Sequence, residues 1–257
     1  MSMSDLNHLM QSTGLWRASS IDSQYLEACP TGFELLDREL PGSGWPASGI
    51  TELLQKQAGI GELRILTPAL AHLSHSQTRW ILFVSPPYIP YAPALAQAGI
   101  DLGRVLICQP KSAKDYLWVI ENALSSQSCS AVIAWPAGIL EKQIRRLQVA
   151  AKTGNCLGVL FRPDSVSVNA SPAELRIRLR THEHSKDNSA MVAKVIKRFG
   201  RWESSDILLH FDDELHRPMP DFSELLLQPY QARDFEAIKH TRTIQPAEHP
   251  PTAYEYQ

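Results

Sequence analysis

Long apolar runs are what this chain most clearly lacks. No stretch approaches the ~20 apolar residues that a membrane-spanning helix needs, so no membrane insertion is expected. The N-terminus, MSMSDLNHLMQ, has neither a basic n-region nor an apolar h-region, and this argues against a secretory signal. Cysteine is scarce: Cys29, Cys108, Cys129 and Cys156 form no C-x-x-C pair, and three of them sit in or beside apolar, strand-like runs. The expectation is reduced, buried thiols in a cytoplasmic protein, with no disulfide framework and no zinc site. Histidine pairs are equally poor in company. His72 and His75 have no further ligand nearby, and His182-x-His184 lies in a loop without a carboxylate or Cys partner, so neither a metal nor a cofactor is expected.

What is present is an ordinary globular composition, 44% hydrophobic and 20% charged over 257 residues, enough for one large domain or a domain with extensions. The formal charge of −2 conceals an uneven distribution. Residues 142–201 hold 13 Lys and Arg against 4 Asp and Glu, whereas residues 202–257 hold 4 against 11. Such asymmetry points to an anionic partner, to an acidic tail that competes for it, or to both. Three regions follow: an N-terminal helix and linker over 1–28, a core domain over 29–211, and an acidic, proline-punctuated tail over 212–257 that is too polar to fold alone.

The core is organised around residues 30–64, PTGFELLDRELPGSGWPASGITELLQKQAGIGELR. A glycine-rich approach leads into the short strand Ile50–Leu54, then into a loop ending Gly59-Ile60-Gly61, then into an expected helix. This is the outline of a phosphate-binding loop. A working one needs G-x-x-x-x-G-K-[ST], in which glycines expose N–H groups to the phosphates, Lys reaches the terminal phosphates and the hydroxyl holds Mg²⁺. Here Lys56 stands where the first glycine belongs, and Glu62 and Leu63 follow Gly61, with no Lys and no hydroxyl.

TGFELLD, LPGSGWP, ITELL and GIGELR together resemble the RecA-like superfamily, within it the SulA-like branch that holds the ImuA and SulA families of the bacterial DNA-damage (SOS) response. SPPYIPYAPALAQAGIDLGRVL, AVIAWP and IRRLQVAAKTGNCLGVLFRP fit the ImuA family best, and the resemblance covers roughly residues 1–211. It implies an α/β, RecA-like P-loop-type fold with a mainly parallel central sheet flanked by helices and a degenerate nucleotide site at Gly59, Gly61, Glu62 and Leu63. In that fold the loop after the next strand, Trp80–Val84, supplies the carboxylate that activates water. Here it reads SPPYIPYAP, which suits either a protein contact or a rigid connector. The strand Ala131–Trp135 stands where an Asp should hold the Mg²⁺ shell, and it ends in Trp135-Pro136. Glu62 adds a negative charge where phosphates would lie. Two unit charges about 4 Å apart cost roughly 4 kcal/mol at an effective dielectric near 20. No ATPase and no other enzyme activity is expected.

Along the rest of the chain, Leu6, Leu9 and Met10 mark an amphipathic helix expected to dock on its own domain; the resemblance implies, as the alternative, docking on a second copy or on RecA. Thr31 is the expected N-cap of a helix through Leu40. Residues 139–152 form a helix with Ile139, Leu140, Ile144, Leu147 and Ala151 inward and Lys142, Arg145, Arg146 and Lys152 largely outward. Leu175–Arg180 alternates cleanly, so that Arg176, Arg178 and Arg180 share one face, and the returning strand carries Lys194, Lys197 and Arg198. This basic set reads either as a solvated, edge-guarding face or as a contact for DNA or an acidic partner. Phe222, Leu225 and Leu226 in the tail form a candidate docking segment.

The resemblance implies a non-enzymatic accessory protein of translesion synthesis, a pseudo-ATPase that binds RecA and an inactive Y-family polymerase homologue, and through it an error-prone family-C polymerase. It would work in the cytoplasm, at the nucleoid when active. Direct DNA contact and self-association stay open. The alternative is a SulA-like division inhibitor that binds FtsZ, and the weakest reading is a divergent recombinase ATPase.

Overall fold

The computed structural model describes residues 27–136, 138–182 and 190–211. The N-terminal helix with Leu6, Leu9 and Met10, and the tail with Phe222, Leu225 and Leu226, lie outside the described residues.

In chain order the elements are β1 (Ala28–Cys29), α1 (Glu34–Glu39), β2 (Trp45–Pro46), β3 (Gly49–Gln55), α2 (Thr67–Ser76), β4 (Trp80–Val84), α3 (Ala92–Gln97) and β5 (Val105–Cys108). They continue with α4 (Ala113–Ser125), β6 (Cys129–Ala134), α5 (Glu141–Thr153), β7 (Leu157–Pro163), β8 (Leu175–Thr181), β9 (Ala190–Lys197) and β10 (Ile207–His210). Eight strands form one mixed sheet in the order β10-β9-β8-β3-β7-β6-β4-β5. The ladders from β8 to β5 are parallel, and β8, β9 and β10 close the other end antiparallel. β1 and β2 make a separate two-stranded ribbon.

Burial on both faces explains the sequence of the middle strands. All seven positions of β3 are buried, which is why an uninterrupted GITELLQ forms a strand instead of an alternating pattern. Along β4 the side chains part by period two: Ile81 and Phe83 enter one apolar cluster with Leu66, Leu70 and Phe161, while Leu82 and Val84 enter a second with Ile120, Leu124 and Leu147. The second cluster seats α4 and α5, which approach closely at Gly154. A Cβ there would lie 1.9 Å from the Leu124 carbonyl oxygen.

Three expectations are corrected. The RecA-like P-loop-type fold is not what the chain builds: the sheet is mixed, and the strand–loop–helix unit of a phosphate loop is missing. Gly61, at φ 84°, leads into a 3-10 turn over Glu62–Ile65, and α2 starts afresh at Thr67 with Pro68 in its first turn. Proline has no N–H to continue the run and is tolerated only at a helix start. Thr31 does not cap α1. Its hydroxyl accepts from Phe33 N–H at 3.0 Å, one step early, and Phe33 is the N-cap. Leu140, expected inward, is the N-cap of α5 and is 59% exposed.

Candidate functional site

The loop after β3 folds around an anion of its own. Glu62 is 5% exposed, and its carboxylate accepts from Gly59 N–H at 3.0 and 3.2 Å and from Gln55 Nε2 at 3.3 Å. The Gly59 backbone N–H is therefore satisfied by a side chain three residues further along the chain. Gly59, Gly61, Glu62 and Leu63 do come together, in a loop closed by the hydrogen bonds of its own carboxylate.

The neighbouring strand ends complete the picture. After β4, Ser85 adopts φ 47° and the Pro86-Pro87 step throws Tyr88, Ile89 and Tyr91 outward, 71%, 76% and 70% exposed. Tyr88 lies against the glycine loop, 3.8 Å from where a Cβ on Gly59 would stand. After β6, the Trp135 ring stacks on Phe161 at 4.9 Å between centroids and faces Phe83 at 6.3 Å. An aromatic stack thus fills the place of the expected Mg²⁺-binding carboxylate. Leu63, Arg64, Thr67, Pro90, Tyr91 and Ala94 line a cavity of about 280 Å³. Among the described residues no cluster of His, Cys, Asp or Glu is suited to a metal. This end of the sheet offers apolar area and phenol hydroxyls, the equipment of a protein contact.

The basic set is placed differently from an open cationic face. Arg176 is 5% exposed, and its Nε donates to Glu52 Oε2 at 2.7 Å. The rest of its guanidinium donates to the carbonyls of Val166, Ser167 and Asn169. Arg178 donates to Asp164 at 2.6 Å and to Ser167 Oγ at 2.7 Å, Arg180 pairs with Asp206, Lys194 with Glu203, and Arg198 with Glu39. Lys197 donates to the carbonyls of Ser171 and Ala173, both at 2.6 Å. Burial, and then the Arg176 cation opposite it in the ladder, lower the Lys197 pKa, while the Lys194 ammonium lowers that of Glu203.

The organising residue of this face is one that sequence reasoning missed. Glu52, in the middle of β3 and fully buried, binds Arg176 from one neighbouring strand and Arg162, at 2.5 Å, from the other. A single carboxylate inside the apolar run ITELL was the available signal, since a charge is almost never fully buried unless paired.

The stretch holding β3 through α5 is also where the chain resembles known proteins. A family model described as "Cell division inhibitor SulA" matches residues 49–158. Residues 49–158 are SulA-like. SulA of Photorhabdus laumondii is 36% identical over 113 residues, covering 44% of this chain and 63% of that relative. SulA of Serratia proteamaculans is 29% identical over 114 residues, covering 44% of this chain and 67% of the relative. The crystal structure of SulA from Pseudomonas aeruginosa aligns with a TM-score of 0.38 at 26% identity, covering 44% of this chain and 97% of that one. The expected RecA-like P-loop-type assignment accordingly gives way to a SulA-like one, with Glu62, the Tyr88–Tyr91 loop and Trp135 all inside the matched stretch.

Proposed function

We propose that this chain is a non-enzymatic, SulA-like cytoplasmic protein that inhibits cell division by binding the tubulin-like protein FtsZ. The observation that supports the non-enzymatic part is Glu62: the loop after β3 is closed on its own carboxylate, which takes up the Gly59 N–H. The match of residues 49–158 to the division-inhibitor family supports the division role. The docking surface is the exposed Tyr88, Ile89 and Tyr91 loop, stiffened by Pro86, Pro87 and Pro90, so little ordering entropy opposes binding. The test is FtsZ polymerisation followed by light scattering with the purified chain. The wild type inhibits assembly, and Tyr88→Ala with Tyr91→Ala weakens inhibition by at least about tenfold, as for aromatic anchors at interface centres. Undiminished polymerisation in the presence of the wild type overturns the proposal.

One observation favours a second reading, an ImuA-like accessory protein of translesion synthesis. The family match stops at residue 158, and the chain goes on to build β8, β9 and β10 with their arginines and lysines. In this reading the partners are RecA and an inactive Y-family polymerase homologue, with an error-prone family-C polymerase reached through it. Co-purification with each of these and with FtsZ separates the two readings, because retention of RecA and the polymerase homologue without FtsZ selects the second.

A further inference from the structure

Trp202 is the most exposed large apolar side chain among the described residues, at 93%. It closes the run Lys197-Arg198-Phe199-Gly200-Arg201-Trp202 between β9 and β10, in which cations are interleaved with aromatic rings. Arg198 and Arg201 bridge antiparallel across the turn, and Gly200, at φ 73°, supplies the left-handed step of so tight a reversal. Phe199 is 50% exposed. The backbone under the indole is held, because Arg198, paired with Glu39, also donates through Nε to the Trp202 carbonyl at 3.1 Å. The charges around the turn are uneven. Glu34, Glu39 and Glu203 are already paired with Arg38, Arg198 and Lys194. Arg201 is exposed and has no carboxylate partner among the described residues, its guanidinium reaching the Arg38 carbonyl at 3.5 Å.

We infer that this turn binds single-stranded nucleic acid, with bases stacking on Trp202 and Phe199 and a backbone phosphate on Arg201. A single strand meets both features at once. Each base offers an unpaired ring face and each nucleotide a negative charge, whereas the bases of a duplex already stack on one another. A protein partner would seat an aromatic anchor in a well-packed, desolvated pocket, and here the residues flanking the rings are Arg198, Gly200, Arg201 and Glu203. Residues 142–201, with 13 Lys and Arg against 4 Asp and Glu, add the field that draws in an anionic strand. The turn lies past residue 158, where the SulA-like match ends, and beside the start of β8. The Tyr88–Tyr91 loop follows the end of β4, and β4 runs parallel to β8, so the two surfaces stand at opposite ends of the sheet. The inference therefore does not rest on the FtsZ reading.

The experiment uses the full chain and fluorescein-labelled oligo(dT) and oligo(rU) in anisotropy titrations at about 50 mM salt. The wild type should bind with a Kd of about 1–100 μM, and the tighter of the two oligonucleotides identifies the kind of strand. Trp202→Ala should weaken binding at least about fivefold, as for the loss of one base–aromatic stack. Trp202→Phe should retain affinity while abolishing the tryptophan-fluorescence quench that accompanies binding. Arg201→Ala should lower the salt slope of the affinity by about 0.7, the share of one phosphate on a single strand. Trp118→Ala, which removes a 64% exposed indole from α4, should change nothing. Both Trp202 and Arg201 are exposed, so far-UV circular dichroism should match the wild type in every variant of the turn. Absence of binding to both oligonucleotides overturns the inference. So does binding that Trp202→Ala leaves intact, an equal loss in Trp118→Ala, or a duplex bound as tightly as the single strand. Should Trp202→Ala weaken FtsZ inhibition and leave oligonucleotide binding unchanged, the turn is a protein contact and the inference fails.

Discussion

At Glu62 a single side chain closes the loop after β3. Its carboxylate takes the one Gly59 N–H on both oxygens and a further bond from Gln55 Nε2. Replacing it by Ala leaves the buried Gln55 amide without this partner, and this should cost about 1–3 kcal/mol in chemical denaturation. The variant should not retain nucleotide in equilibrium dialysis, because neither Lys nor hydroxyl follows Gly61; saturable ATP binding by it would overturn that expectation. Glu52 is the second such residue. It neutralises Arg162 and Arg176 at once, so Glu52→Ala strands two guanidinium groups in the interior and should cost about 3–5 kcal/mol, the range for breaking a buried pair. Arg180→Ala, by contrast, should cost under about 1 kcal/mol, since Arg180 and Asp206 are both half exposed. Similar losses for the two variants would show that burial of the Glu52 cluster does not govern its energetics.

At the scale of elements, the strands were the most legible feature. WILFV, CLGVLF and the alternating LRIRLR announce β4, β7 and β8 through apolar runs or period-two alternation, and the structure places all three within one or two residues of those stretches. What the alternation could not reveal is which medium the arginine face meets. A one-sided strand with three arginines reads equally well against water or against a layer of carboxylates and carbonyls. Here the 3-10 helix over Asp164–Val168 lies across that face and takes up Arg176 and Arg178. Leu140 shows the same limit in reverse: its spacing fits the buried stripe of α5, yet as the N-cap it sits before the helical phase begins and points to solvent. The aromatic loop after β4 belongs to this scale too. Its side chains are about 70% exposed, so the Tyr88 and Tyr91 variants should leave thermal stability within about 0.5 kcal/mol of wild type, and a change in partner binding then reports on contact, not folding.

At the scale of the whole molecule, the two apolar clusters on either side of the sheet share a sensitivity to alkali. Burial pushes the Cys29 and Cys129 thiols up to about 11 from 9.0, and raises Cys156 further still. In that window the folded chain holds thiol protons that the unfolded chain releases, so stability fully present below pH 9 is lost progressively as pH rises towards 11. Lys197 acts in the opposite sense, because its lowered pKa makes the folded chain shed that proton first, but one partly exposed amine opposes three buried thiols. The midpoint of urea unfolding should therefore fall across this range, and fall less steeply in the Cys29→Ala, Cys129→Ala double variant. An equal slope in both proteins would place the alkaline weakness elsewhere.

By itself the sequence determined that neither Lys nor a hydroxyl follows Gly61 and that Trp135 closes its strand, because these are matters of residue type alone. It determined the strands as well, since burial on both faces or on one face leaves a periodic trace in residue choice. Only the tertiary structure decided what the substituted residues do: that Glu62 closes the loop it was expected merely to repel phosphate from, that Trp135 joins an aromatic stack, and that Arg176 of β8 is bound by a carboxylate on β3, 124 positions away. The reason is physical. A residue's type sets which interactions it can make, whereas the dielectric and the partners that determine their strength come from segments remote in the chain.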